Sequence, residues 1–259
     1  MAFARIQGRR IEYEFLPAGA APVIVFLHEG LGSLTTWRDF PQSIARATAC
    51  GTLVYSRHGH GQSDRLTTPR RVDFLHEEAL QALPELLDGL GIERPVLLGH
   101  SDGGSIALIH AGGAERPVAG VIVLAPHVMV EDISIGSIRE AGRQFATTDL
   151  REKLARHHAD AEATFRGWNE IWLDPAFRSW NIEEFLPRIA CPVLAIQGED
   201  DEYGTMEQIE RIARLAPDAE LLKLPRCGHA PHRDQPETVI AAVSGFVGRI
   251  RRYAASGVA

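Results

Sequence analysis

Two rhythms of apolar and polar positions alternate along this chain. Residues up to Gln7 alternate, a Gly8-Arg9 turn signal follows, and Ile11 to Phe15 alternates again, which predicts a β-hairpin. After a break from Pro17 to Pro22 comes Val23-Ile24-Val25-Phe26-Leu27, a continuous apolar run that suits a strand buried on both faces. Similar runs recur at Leu53 to Tyr55, Val96 to Leu98, Val118 to Leu124, Val193 to Ile196 and Leu221 to Leu224. Between most of them the period lengthens to that of a helix, notably over Phe74 to Leu90, Ser105 to Ala111, Met206 to Leu215 and Val239 to Ile250. Strands alternating with helices predict an α/β class built on a mainly parallel sheet covered on both sides.

One stretch departs from this rhythm. From Met129 to Arg188 no strand-like run occurs, and three of the four tryptophans, Trp168, Trp172 and Trp180, fall there. Phe165, Trp168 and Trp172 are spaced i, i+3, i+7 and share one face of a helix. That face either packs the segment onto the main domain or roofs a substrate pocket as a cap. The expected organisation is a core of residues 1–128 and 189–259 with a helical cap at 129–188.

Composition narrows the classes of partner. A chain of 259 residues with 45% hydrophobic residues can bury one large core. Its formal charge of −7, without a basic run, argues against nucleic acid and anionic membranes. No apolar segment follows the arginines of the first ten residues, and no window is apolar for long enough to span a bilayer. Cys50, Cys191 and Cys227 are too few and too scattered for a disulfide framework or a zinc site, so a reducing cytoplasm is expected. Neither metal nor cofactor is called for, a small molecule is the expected partner, and the oligomeric state is not legible.

The chemistry concentrates where strands end. Val96-Leu97-Leu98 runs into Gly99-His100-Ser101-Asp102-Gly103-Gly104 and then directly into a helical pattern. This is a G-x-S-x-G turn in its strand-turn-helix context, where side chains at Gly99 and Gly103 would collide with neighbouring backbone. It makes Ser101 the candidate nucleophile and places it at a helix N-terminus, which favours a nearby anion. Chance alone supplies about 0.1 such matches in a chain of this composition, so the context carries the inference.

A serine hydroxyl needs a histidine to take its proton and a carboxylate to orient that histidine. His229 directly follows a glycine in the loop after the last strand-like run, and His232 is its only serious rival. His28 and His100 sit at strand ends and read as structural, while His157 and His158 fall in the inserted segment. His58-Gly59-His60 lacks the further ligands of a metal site. For the acid, Glu199, Asp200, Asp201 and Glu202 are consecutive; Asp201, third past Gly198, is preferred and Asp200 is the alternative. The oxyanion of acyl transfer needs backbone N–H donors. Asp102 supplies one, and Gly30 in His28-Glu29-Gly30-Leu31-Gly32-Ser33 the other, with Glu29 and Leu31 as alternatives.

Five ordered segments, Phe26 to Gly30, Arg57-His58-Gly59-His60-Gly61-Gln62-Ser63-Asp64, Gly99 to Gly104, Gly198 to Asp201 and Gly228-His229, resemble the α/β-hydrolase superfamily over nearly the whole chain. The resemblance implies that fold, with a helical cap, and a serine hydrolase with Ser101, Asp201 and His229 as its triad. Glu29 departs from the glycine of many members and places a carboxylate beside the expected pocket. Serine at the elbow disfavours the dehalogenase and epoxide hydrolase branches, which carry aspartate there.

Ser101-Asp102-Gly103-Gly104, the tryptophan-rich segment and Leu186 to Pro192 look like the valacyclovirase-like esterases, where the residue after the nucleophile reads a substrate amino group. That resemblance implies a substrate role for Asp102, against the plainer reading in which Asp102 caps the helix. The leading expectation is a carboxylic-ester hydrolase of small acyl substrates, possibly amino-acid esters, with Glu29, Asp102, Trp168 and Trp172 lining the substrate. The alternatives are a C–C bond hydrolase of the meta-cleavage type and a non-catalytic ligand receptor of the same fold.

Overall fold

A computed structural model describes residues 1–17 and 22–255; most of the Pro17-to-Pro22 break lies outside them. Eight strands form one sheet: β1 (Ala2–Ile6), β2 (Arg9–Leu16), β3 (Val23–Leu27), β4 (Gly51–Tyr55), β5 (Val96–His100), β6 (Gly120–Leu124), β7 (Val193–Gly198) and β8 (Ala219–Leu224). Their order is β1-β2-β4-β3-β5-β6-β7-β8, parallel throughout except where β2 pairs with β1 and with β4. The opening hairpin turns on Gln7 and Gly8, both at positive φ, one residue earlier than Gly8-Arg9. Two successive positive φ values make the tight turn whose twist matches paired strands.

The helices are α1 (Phe40–Thr48), α2 (Phe74–Glu77), α3 (Leu83–Gly89), α4 (Asp102–Gly113), α5 (Asp132–Thr147), α6 (Leu150–Ala155), α7 (Ala161–Leu173), α8 (Glu207–Leu215), α9 (Pro231–Asp234) and α10 (Pro236–Ala255). The continuous apolar strands follow from burial on both faces. Ile24 and Phe26 of β3 join a core layer with α1 and α10, while Val25 and Leu27 join the opposite layer with α2, α3 and α4.

The helix expected over Phe74 to Leu90 is interrupted by a π turn at Glu78–Ala82. Pro84 lies at the start of α3 and has no N–H for the preceding turn. His110 of α4 donates instead to the Ala79 carbonyl within that turn, at 2.7 Å. Between β6 and β7 the chain forms α5, α6, α7 and two short 3₁₀ turns, Pro175–Ser179 and Glu183–Arg188. Its one strand-like contact is the isolated bridge of Met129 with Asn181. Among the described residues, no helix is long and apolar enough to cross a membrane.

Candidate active site

The site is assembled at the C-terminal ends of the parallel strands, where loops from β3, β5, β6, β7 and β8 converge. Ser101 stands between β5 and α4 with φ 52° and ψ −119°, a strained conformation for a residue with a Cβ. The neighbouring glycines make that turn possible. A Cβ on Gly99 would lie 2.1 Å from the Gly103 carbonyl oxygen, and one on Gly103 would lie 2.0 Å from that of Leu27.

Ser101 Oγ lies 3.0 Å from His229 Nε2, and His229 Nδ1 donates to Asp201 Oδ1 at 2.8 Å. The same oxygen accepts from the Tyr203 backbone N–H at 2.8 Å, and Gln197 Nε2 donates to Asp201 Oδ2 at 3.2 Å. Burial alone would raise the Asp201 carboxyl, but the His229 hydrogen bond and charge outweigh it and hold it below its ordinary value. Asp200 anchors the loop by its backbone N–H on the Cys227 carbonyl. His232 is packed behind the site on Trp37, Phe40 and His100 and does not meet Ser101.

Asp102 begins α4, but its carboxylate does not cap the helix. Ser101 occupies the capping position without a side-chain cap bond, and Asp102 Oδ1 accepts from Trp172 Nε1 at 3.2 Å. Burial raises the Asp102 carboxyl, against the opposing influence of Arg57 and Arg70. Gly30 lies against α7: a Cβ there would fall 2.2 Å from the Trp168 indole. Its N–H makes no backbone hydrogen bond among the described residues.

Glu29 stands in a second carboxylate–imidazole pair. Glu29 Oε2 faces His100 Nδ1 at 3.6 Å, Arg233 lies 3.6 Å from Glu29 Oε1, and His100 Nε2 donates to the His229 carbonyl at 2.7 Å. Burial would raise the Glu29 carboxyl, yet His100 and Arg233 together bring it well below the ordinary carboxylate range. The loop after β3, the turn at Ser101 and the loop carrying His229 are thus tied through one histidine that its position at a strand end marks only as structural.

These residues enclose a cavity of ≈ 110 Å³ lined by Glu29, Gly30, Leu31, Ser101, Asp102, His127, Ile138, Trp168, Trp172, Tyr203 and His229. All four residues expected to line a substrate are present. Phe165, expected on the same helix face, instead stacks on Phe145 of α5 at 3.9 Å, inside the inserted segment. The sequence reading missed Tyr203, Ile138 and His127. The only signal for His127 is its place just after β6, at the edge of the sheet where sites form. Among the described residues, no group of three or more His, Cys, Asp or Glu could hold a metal ion.

Residues 24–242 match the model of the alpha/beta hydrolase family. The chain belongs to the alpha/beta hydrolase family. This hydrolase is similar to the sn-1-specific diacylglycerol lipase ABHD11 of Mus musculus, 26% identical, with 92% of this chain and 85% of that protein covered. It is also similar to a putative carbamate hydrolase, RutD, of Caulobacter sp. (strain K31), 29% identical over 86% of this chain and 90% of that one. Among solved structures, VinJ superimposes with a TM-score of 0.80 at 21% identity, covering 96% of this hydrolase and 98% of VinJ.

Proposed function

We propose that this hydrolase cleaves small carboxylic esters through an acyl-enzyme on Ser101. The observation that carries the reading is the unbroken chain from Asp201 through His229 to Ser101, opening into a cavity with mostly apolar walls. His229 takes the Ser101 proton as Oγ attacks the ester carbonyl, and the backbone N–H groups of Gly30 and Asp102 receive the resulting oxyanion. The C–O bond to the alcohol then breaks, and His229 returns the proton to the departing alkoxide. Water, deprotonated by His229, hydrolyses the acyl-enzyme and restores Ser101. Asp201 keeps the imidazole in the required tautomer throughout.

A cavity of ≈ 110 Å³ is smaller than the ~150 Å³ that admits a benzene ring, which supports a short acyl group. The three buried, unpaired cysteines support a reducing, cytoplasmic setting. The test is a burst with p-nitrophenyl acetate and a mass increase of one acetyl group on the protein, both absent in Ser101→Ala. A wild-type protein that never acylates would sink the reading.

A preference for amino-acid esters, as in the valacyclovirase-like esterases, is favoured by one specific observation. Among the described residues, Asp102 and Glu29 are the only acidic side chains lining the cavity, no Lys or Arg lines it, and the indoles of Trp168 and Trp172 line it beside them. A substrate ammonium would gain both an ion pair and cation–π contacts there. Asp102→Asn should lower kcat/KM for aminoacyl esters more than for simple acyl esters. Equal losses on both classes would end that version.

A further inference from the structure

His127 is a buried imidazole without a task in the triad. It follows β6, where Ala125 takes φ 45° to turn the chain, and Ser105 holds its backbone: Ser105 Oγ donates to the His127 carbonyl at 2.6 Å. The side chain is 3% exposed and lines the cavity beside Ser101 and His229. Its ring stands edge-on to Trp172 at 5.0 Å and lies 5.7 Å from the His229 ring. Nδ1 is buried without a partner, and neither ring nitrogen makes a hydrogen bond among the described residues.

A buried polar atom left unpaired is costly, and such atoms in native sites commonly meet a ligand or an ordered water. We propose that His127 is a substrate-recognition residue that hydrogen-bonds a hydroxyl group on the acyl chain, so that this hydrolase prefers hydroxyacyl esters to their plain alkyl counterparts. The inference rests on the ester reading given above. Of the two unpaired nitrogens Nε2 is the accessible one, and as donor or acceptor according to the tautomer it can pair with a hydroxyl, which serves as either. Burial, and next the nearby His229, push His127 down to about 3, so it stays neutral while His229 cycles through its cationic form. The small cavity sets the reach: the hydroxyl must sit within a few bonds of the carbonyl that Ser101 attacks.

Ethyl butyrate, ethyl 2-hydroxybutyrate and ethyl 3-hydroxybutyrate test this, with the released acid titrated and each rate divided by the ester's own rate with hydroxide. The wild-type protein should favour at least one hydroxyester by about tenfold in kcat/KM. His127→Phe, which keeps the ring's packing, should bring that ratio to about one, and His127→Asn, which keeps a donor and an acceptor, should restore part of it. A wild-type ratio near one would overturn the proposal and leave His127 to an ordered water. So would a preference that survives in His127→Phe. No turnover of any of the three esters, together with no acylation by p-nitrophenyl acetate, would remove the ester reading and the proposal with it.

Discussion

The floor and the roof of the cavity are held by different kinds of contact. The floor hangs from strand ends, and its loops are pinned by backbone: Asp201 donates to the Gly198 carbonyl, Glu199 to Leu224 and Ser101 to Leu124. The roof is made by Trp168 and Trp172 of α7, and side chains tie that helix to the floor: the Trp172 indole donates to Asp102, and Thr164 donates to the Gly59 carbonyl at 2.7 Å. α7 is also packed on α5 through side chains such as the Phe145–Phe165 stack. Backbone pinning fixes atoms to the tolerance that bond making requires. Side-chain packing fixes a shape, and shape decides which molecules enter.

Substitutions should separate the two accordingly. The largest effect belongs to the floor: Asp201→Asn should lower kcat by roughly 10³- to 10⁴-fold with little change in the range of esters accepted. Steady-state kinetics on a panel of acyl esters would check this, and a loss below tenfold would show that another group orients His229.

Next comes the tie between His100 and the His229 carbonyl. Glutamine places its amide nitrogen near the position of Nε2, whereas asparagine is too short to reach. His100→Gln should therefore stay within a few-fold of wild type, and His100→Asn should lose about ten- to a hundredfold in kcat with KM nearly constant. Equal behaviour of the two variants would leave the tie without a kinetic role.

At the roof, Trp172 lines both the ≈ 110 Å³ cavity and a neighbouring groove of ≈ 540 Å³. Trp172→Ala should join them and move the preferred acyl chain several carbons longer, while Trp172→Phe keeps the wall and the preference. An unchanged chain-length profile in Trp172→Ala would mean that the wall lies elsewhere.

The smallest effect is on stability. Burial holds His28, His60, His127 and His232 well below their ordinary value in the folded chain. In the unfolded chain they protonate near pH ~6.5, so unfolding takes up protons below that point and stability falls as pH drops. The carboxyls of Glu29 and Asp201, lowered in the fold, add their own loss only nearer pH ~4. Calorimetry from pH 7.5 to 5 should show Tm declining by several degrees, and a flat profile would contradict the buried neutral histidines.

The same division explains what could be read from the chain. Ser101 and Asp201 are announced by glycines at strand ends, and the announcement is steric. A Cβ on Gly198, for instance, would lie 2.0 Å from the Cys227 carbonyl oxygen, whereas one on Gly228 before His229 would meet only side-chain carboxylates, at 3.2 Å and beyond. His127 has no such herald, because the turn before it is made by Ala125 rather than a glycine. The pairing of Glu29 with His100 joins residues far apart in sequence, and no local pattern encodes it. Asp102 reads more readily as a helix cap than as a pocket carboxylate until Trp172, on another element, fixes where its Oδ1 points. The π turn at Glu78–Ala82 escaped for a related reason: the apolar period continues straight through it.

The position of the inserted helices has a consequence for chain entropy. β6 and β7 are hydrogen-bonded neighbours, with Val121 beside Val193, yet everything from α5 to the second 3₁₀ turn lies between them. Bringing those two strands together closes a long loop. The entropy of closure grows only with the logarithm of its length, about 0.6 kcal/mol for each doubling. The sheet, with the chemistry at its edge, is therefore nearly indifferent to how much chain is spliced in at that point. A chain built this way can exchange or lengthen its roof, and with it the molecules it accepts, while the strands beneath keep their register.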